Sequence, residues 1–319
     1  MKFKIQSIKG DASHRSFYRI TSNTSSKIIV SSKKEKYKNL IAYSAVNKFL
    51  RNKKILAPKL YEHNYHEGII VIEDFGNLSF YKILIKEKNK LKVYKKLIDL
   101  LIKIQKIKPK LKIKGIGNRI HVINKYSKKY LFEESNLFFD WYLPLFLSKK
   151  QISNFKKKTK KILYKIYNNL NFTNSYFVHR DYHVQNLMKV GKKIGVIDSQ
   201  DALIGNPCYD LVSLIDDVRI KTSIKLKNEI YNYYIKNTSK ICKFNTEKFL
   251  EDFNILSVQR SLKIIGIFSR LFKRDKKSEY LKLIPYAWKL IGMRINENKV
   301  FENLKNLLNQ NFKKRLNEN

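Results

Sequence analysis

Residues 177–210, FVHRDYHVQNLMKVGKKIGVIDSQDALIGNPCYD, constrain this chain more than any other stretch. Apolar Phe177-Val178 gives way to a polar loop and then to apolar Leu187-Met188. A turn carrying Gly191 follows, and the run Ile194-Gly195-Val196-Ile197 ends on Asp198. Short apolar runs bounded by turn residues read as strands, and strands flanking such loops form a hairpin-like platform with polar groups exposed at its ends. Those groups are His179, Asp181, Asn186 and Asp198. An Asp, an Asn five positions on and a second Asp closing the next strand suit phosphoryl transfer. One carboxylate positions a hydroxyl and takes its proton. The Asn oxygen and the other carboxylate are the hard ligands that Mg²⁺ needs when it is held against nucleotide phosphates.

A chain of 319 residues can bury a large core and is expected to make two lobes. Its hydrophobic content of 43% fits a globular protein, and no apolar run approaches a membrane span. The opening MKFKIQSIKGDAS lacks the apolar core of an export signal, and Cys208 and Cys242 are too few for a disulfide framework, so a cytoplasmic location is expected. The net charge of +41 points first to nucleic acid. Lysine, however, is scattered through every segment among abundant Ile, Asn, Tyr and Phe, which reads as compositional background. No specific nucleic-acid partner and no membrane partner is expected, only attraction to polyanions at low salt. Oligomeric state leaves no signature.

In chain order, residues 1–75 read as β-rich. Phe17–Ile20 and Lys27–Val30, written FYRI and KIIV, pair around a turn over 21–26, and the polar loop 10–15 precedes them. A helix is expected over 37–50, a strand from Pro58, and a buried strand from Gly68 that ends in charge at Glu73-Asp74. Beyond Ser79 the apolar spacing becomes helical: 81–85, 91–107, an aromatic-rich helix over 126–147, 154–170, 211–217, 224–235, 246–272, 280–291 and a C-terminal helix through Leu316. Residues 110–125 are weakly patterned, and there is no internal repeat.

With these elements placed, the chain resembles the aminoglycoside phosphotransferase and choline kinase-like enzymes. More narrowly, it resembles the anomeric N-acetylmuramate/N-acetylglucosamine kinases of bacterial cell-wall recycling. Four stretches carry the resemblance: 10–19 (GDASHRSFYR), 72–76 (IEDFG), 179–188 (HRDYHVQNLM) with 197–214 (IDSQDALIGNPCYDLVSL), and 259–280 (QRSLKIIGIFSRLFKRDKKSEY). It implies an α+β, protein-kinase-like, two-lobed fold. A small β-rich nucleotide-binding lobe over 1–76 would end in a hinge, and a larger, mainly helical lobe over 77–319 would carry the catalytic loop and the substrate site. It also implies ATP and Mg²⁺ as cofactors and a small-molecule sugar as substrate.

Residue by residue, the resemblance makes Asp181 the catalytic base and Asn186 and Asp198 the metal ligands. His179 would fix the loop, and Asp210, at a helix N-terminus, would anchor it. Nucleotide contacts would come from Ser13 and Arg15 in the phosphate-covering loop and from Ile72 and Glu73 at the hinge. Arg15 and Arg19 either face phosphate or stiffen the hairpin. Glu134, Asp201 and Arg260 are substrate-side candidates, with Glu133 beside the first. Asp201 and His183 also read as support behind the site, and Arg260 and Arg270 as pairing within the helical lobe.

Two positions depart from the kinase pattern. A lysine on the third strand, paired with a helix glutamate, ordinarily meets the nucleotide phosphates. Here Val30 or Ser31 stands at that point, and the helix over 37–50 has no Glu or Asp. Lys33, Arg15 or the metal is left to neutralise the phosphates. Ser199 stands where many relatives carry an aromatic. The expected reaction is ATP- and Mg²⁺-dependent phosphorylation of the anomeric hydroxyl of an N-acetylated amino sugar. The alternatives are another small alcohol, aminoglycoside- or choline-like, or an inactive kinase-fold binding protein. The joint presence of Asp181, Asn186 and Asp198 speaks against the last.

Overall fold

The computed structural model describes residues 4–8, 15–33, 37–238, 245–296 and 298–316. Packing divides the chain into one unit of Met1–Asn124 with Tyr176–Ile204 and another of Lys125–Ser175 with Gly205–Asn319. The lobes expected from sequence divide at residue 76, whereas this division groups residues 77–124 and 176–204 with the small sheet.

In the first unit, strands β1 (Lys4–Ile8), β2 (Arg15–Thr21), β3 (Ser26–Ser32), β4 (Leu60–Asn64) and β5 (Ile69–Glu73) form one antiparallel sheet in the order β1-β2-β3-β5-β4. Its register sets Phe17 opposite Val30 and Val30 opposite Ile70. Side chains alternate between faces along a strand, so Ile28 and Val30 of β3 and Ile70 and Ile72 of β5 share one buried face. Leu40 and Tyr43 of helix α1 (Tyr37–Asn52) complete that core. Each such aliphatic side chain contributes roughly 1.5–3 kcal/mol by leaving water.

Two helices follow, α2 (Phe80–Leu84) and α3 (Lys90–Gln105), each opened by a side chain that accepts a first-turn N–H, Ser79 from Lys82 and Asn89 from Lys92. Residues Val93, Leu97, Leu101 and Ile104 recur at helical spacing on the buried face of α3. The weakly patterned segment holds a small hairpin, β6 (Lys112–Lys114) with β7 (Ile120–Val122), whose turn packs on α1 through Ile116 N donating to Ser44 Oγ at 3.0 Å. The platform itself is two ladders. Strand β9 (Leu187–Val190) pairs with β10 (Lys193–Val196) about Gly191, while β8 (Tyr176–Val178) pairs with β11 (Leu203–Gly205), at whose end the unit closes.

The second unit is helical: α4 (Lys128–Leu137), α5 (Lys149–Asn168), α6 (Cys208–Ile215), α7 (Ile224–Thr238), α8 (Thr246–Asp275), α9 (Ile284–Asn296) and α10 (Glu302–Leu316). The helix expected in the stretch 126–147, ending near Pro144, is instead α4, a π-type turn at Phe138–Tyr142 and a 3-10 turn at Leu143–Leu145. Pro144 cannot supply a helical N–H, and Phe138, Phe139 and Tyr142 are drawn into the core. Helix α8 is buried along most of its 30 residues. A Cβ on its Gly266 would come within 2.3 Å of the Leu137 carbonyl carbon, so α8 and the end of α4 meet backbone to backbone there. Among the described residues no helix is long and apolar enough to cross a membrane.

Candidate active site

The polar loop between β8 and β9 is held by its own backbone. His183 N donates to Asp181 O at 2.9 Å and Asn186 N to His183 O at 2.9 Å, two tight turns that bring Asp181 and Asn186 together. The next peptide link ties this loop to the end of β10. Ile197 N donates to Asn186 O at 3.0 Å, and the Ile197 carbonyl accepts from fully buried His179 Nε2 at 3.1 Å. Ile197 is thus gripped at both polar groups, and Asp198 follows one residue beyond its bond to Asn186. Arg180 (φ 78°) and Asp198 (φ 64°) both sit in left-handed backbone, a conformation rare for non-glycine residues that persists only where the surroundings hold it.

The loop is also moored to the rest of its unit. Tyr182 Oη donates to Leu97 O of α3 at 2.9 Å, Tyr81 N of α2 donates to Val184 O at 3.0 Å, and Val196 N donates to Leu56 O at 2.8 Å. Phe75 of the IEDFG stretch lies against β10 so closely that a Cβ on Gly195 would reach its ring at 2.6 Å.

The chemistry of the donors follows from these bonds. The Asn186 amide nitrogen donates to Asp181 O at 3.1 Å, which leaves its side-chain oxygen as the acceptor end. Among the described residues no three His, Cys, Asp or Glu side chains cluster into a metal cage. Mg²⁺ does not need one: it commonly takes one or two protein oxygens and completes its shell with phosphates and water. Asn186 with Asp198 is such a set, and the donors fit the ion.

Asp198 has a cation beside it. Arg15, with a side chain only 5% exposed, donates from Nη2 to Asp198 Oδ1 at 2.6 Å, and its Nη1 lies 3.2 Å from Gln200 Oε1. Its guanidinium lies over the rings of Phe17 and Tyr43, 5.5 and 5.3 Å from their centroids. Burial pushes the Tyr43 phenol up to about 12, against the pull of Arg15. Buried Ser199 donates its hydroxyl to Asn47 Oδ1 on α1 at 2.7 Å, a small polar contact in place of an aromatic one. Neither Tyr43 nor Asn47 was expected from the sequence. Their spacing of one helical turn on a helix without acids was the available signal.

The other expected site residues have the following surroundings. Ser13 falls outside the described residues, as does loop 9–14. Ile72 is a core residue of the sheet, and the Glu73 carboxylate is engaged by Arg51 Nη1 at 3.0 Å and Lys59 N at 3.1 Å. Of the two arginines left open, Arg19 is a clasp: it bonds Asp74 at 2.6 and 2.9 Å and Asn77 at 2.7 Å, closing β2 onto the segment after β5. Asp201 is exposed and accepts from Gln200 Nε2 at 2.9 Å.

Within the second unit, Asp210 is fully buried in the first turn of α6, where a carboxylate faces the positive end of the helix. Glu134 is buried in a polar knot, accepting from Tyr126 Oη at 2.6 Å, Gln259 Nε2 at 2.7 Å and Tyr209 Oη at 3.1 Å, with Lys263 Nζ at 3.1 Å. Buried Arg260 donates from Nε to Ser213 Oγ at 2.7 Å. Both have structural partners within the helical unit.

A small antiparallel sheet backed by α1, a His-x-Asp loop closed five residues later by Asn, and an Asp after the next strand define a protein of the kinase-like phosphotransferase class. The architecture is matched by the crystal structure of spectinomycin phosphotransferase in complex with ADP and spectinomycin. The TM-score is 0.60 over 94% of this chain and 93% of that one, at 14% sequence identity. Residues 4–242 match the phosphotransferase enzyme family (APH), and the chain belongs to that family.

Curated relatives are similar over most of this chain. An N-acetylmuramate/N-acetylglucosamine kinase of Neisseria meningitidis is 27% identical over 289 residues, covering 89% of this chain and 83% of that protein. A protein of the same name from Pseudomonas aeruginosa is 29% identical over 231 residues, covering 72% of this chain and 65% of that one.

Proposed function

We propose that this phosphotransferase is an ATP- and Mg²⁺-dependent sugar kinase that phosphorylates the anomeric hydroxyl of N-acetylmuramate or N-acetylglucosamine, in the cytoplasm, as part of peptidoglycan recycling. The observation that supports the reading is the double grip on Ile197, which ties the residue before Asp198 to Asn186 while Asn186 is tied to the Asp181 carbonyl. The names of the relatives supply the sugar.

In this reading Asp181 orients the acceptor hydroxyl and takes its proton as the new oxygen–phosphorus bond forms and the bond to the leaving diphosphate breaks. An anomeric hydroxyl is more acidic than an ordinary alcohol, so a carboxylate base suffices. Asn186 and Asp198 would hold Mg²⁺, which supplies positive charge against the phosphates when bound. His179 and Asp210 position, and do not react. Glu134, Asp201 and Arg260 remain the substrate-side candidates.

The test is turnover with ATP, Mg²⁺ and each sugar, followed by ADP release, with phosphorus NMR of the product. A sugar 1-phosphate is expected, and the 1-O-methyl glycoside should not react. A 6-phosphate, or a phosphorylated glycoside, removes the anomeric assignment. Phosphorylation of only an aminoglycoside or choline moves the chain to another acceptor, and absence of ADP release with all of them leaves a kinase-fold binding protein.

A further inference from the structure

The sequence left open what neutralises the nucleotide phosphates when β3 carries no lysine and α1 no acid. We infer that Arg15 of β2 takes over that work, a cation moved one strand across, with Asp198 in place of the helix glutamate as its orienting partner. The inference rests on the reading of Asp198 as a metal ligand beside the phosphates, and it adds a phosphate-binding residue to that site.

Three independent observations converge on Arg15. The first is register: Arg15 pairs with Ser32, which shares a face with Val30 two residues back, so the guanidinium starts on the same face of the sheet as Val30, one of the two positions where the lysine would stand. Directly opposed residues on antiparallel strands have Cβ atoms roughly 4.5–5.5 Å apart and project to the same face. The second is direction: Nη2 meets Asp198 Oδ1 at 2.6 Å, and the Asp198 side chain is still 39% exposed, so one carboxylate edge is taken by the arginine while the group stays reachable. The third is preorganisation. The guanidinium is packed against the Phe17 and Tyr43 rings, and Asn47 holds Ser199 one residue past Asp198.

Helix α1 therefore still senses the metal carboxylate, but through a ring and an amide where an ion pair would ordinarily stand. A planar guanidinium offers several donors in a fixed fork, so it can keep a carboxylate on one edge and present N–H groups to a phosphate on another.

Calorimetric titration of the full chain with ADP, with Mg²⁺ and in EDTA, tests this without turnover. Arg15→Gln should weaken ADP binding by at least about tenfold in both conditions, since a hydrogen bond to a charged group is worth that much or more. The KM for the sugar should stay at the wild-type value, and Arg15→Lys should recover most of the loss. The double variant Arg15→Gln/Ser32→Lys puts a cation back on β3 and should recover part of it, which an arginine that only packs the sheet would not allow. Wild-type ADP affinity in a folded Arg15→Gln protein overturns the inference and leaves the kinase reading intact. So does a loss that neither lysine variant relieves. If the wild-type chain binds no ADP, both readings fall together.

Discussion

Asp198 and Gly195 show how much one residue decides at this site. Asp198→Asn keeps the size of the side chain and an oxygen for Arg15, but removes the charge that a divalent cation needs. It should lower Mg²⁺-dependent turnover by at least about a hundredfold, the low end of what a positioned charged group contributes. The melting temperature should stay near that of the wild type. Turnover within tenfold of wild type would sink the metal assignment. Gly195→Ala acts by volume. Its Cβ would meet the Phe75 ring at 2.6 Å, and Phe75 is itself buried, so ring and strand must both give way. Overpacking of this kind costs typically about 1–3 kcal/mol, and denaturant unfolding should show it. At this scale the candidates were legible: Asp181, Asn186 and Asp198 stand out by residue type and spacing within one local stretch, and the structure joins Asn186 to Asp181 and to Ile197 by hydrogen bonds. What the Glu73 carboxylate meets was out of reach, because its partner, Arg51, is 22 residues away in sequence. Asn47 was out of reach for the same reason, since its Ser199 partner is 152 residues distant.

Elements were read well where periodicity is strong, as in β2, β3, α1 and α3, and poorly where packing overrides it. The aromatic run at Phe138–Tyr142 satisfies a helical pattern yet winds as a π-type turn, because its rings stack into the core instead of keeping to one stripe. Hairpin β6–β7 was missed because three-residue strands carry too few side chains to show alternation. Among the helices of the second unit the firmest tie is Asp216, at the C-terminal end of α6. It meets Lys227 of α7 at 2.9 Å, Ser257 of α8 at 2.6 Å and Arg294 of α9 at 3.1 Å. Burial alone would raise its pKa, but Lys227 and Arg294 overcome that and hold it well below the ordinary carboxylate range. A group depressed in the folded state adds stability that is complete above its unfolded pKa, about 3.9, and is lost as pH falls further. The melting temperature should therefore drop below about pH 4 more steeply in the wild type than in Asp216→Asn. Asp216→Ala at neutral pH strands two buried cations and should cost about 3–5 kcal/mol. A cost under 1 kcal/mol would mean that the four helices are held by apolar packing alone.

For the whole chain the governing quantity is charge: 67 basic against 26 acidic residues leave +41. Some of the acid is committed locally, in pairs such as Asp74 with Arg19, Glu73 with Arg51 and Asp216 with Lys227, and with 67 basic residues against 26 acidic ones the basic groups far outnumber the acids that could pair with them. A surplus of this size repels itself, and the folded state concentrates it more than the unfolded chain does. Added salt shortens the screening length from roughly 30 Å at 0.01 M to roughly 10 Å at 0.1 M, which should relieve that repulsion. The melting temperature should accordingly rise over this range with sodium chloride, and by more than with an uncharged osmolyte of matched concentration, which acts only through exclusion from the surface. The same field predicts the behaviour toward nucleic acid. If the lysines are compositional background, duplex DNA is attracted by phosphate alone, so the logarithm of affinity should fall linearly with the logarithm of salt and be indifferent to sequence. Fluorescence anisotropy with two unrelated duplexes of equal length, titrated from low to physiological salt, separates the cases. Binding that is weak at physiological salt and equal for both duplexes fits a kinase whose charge is incidental to its chemistry. Tight binding of one duplex over the other at that salt would mean that base edges are being read, and the lysines would then need a function of their own.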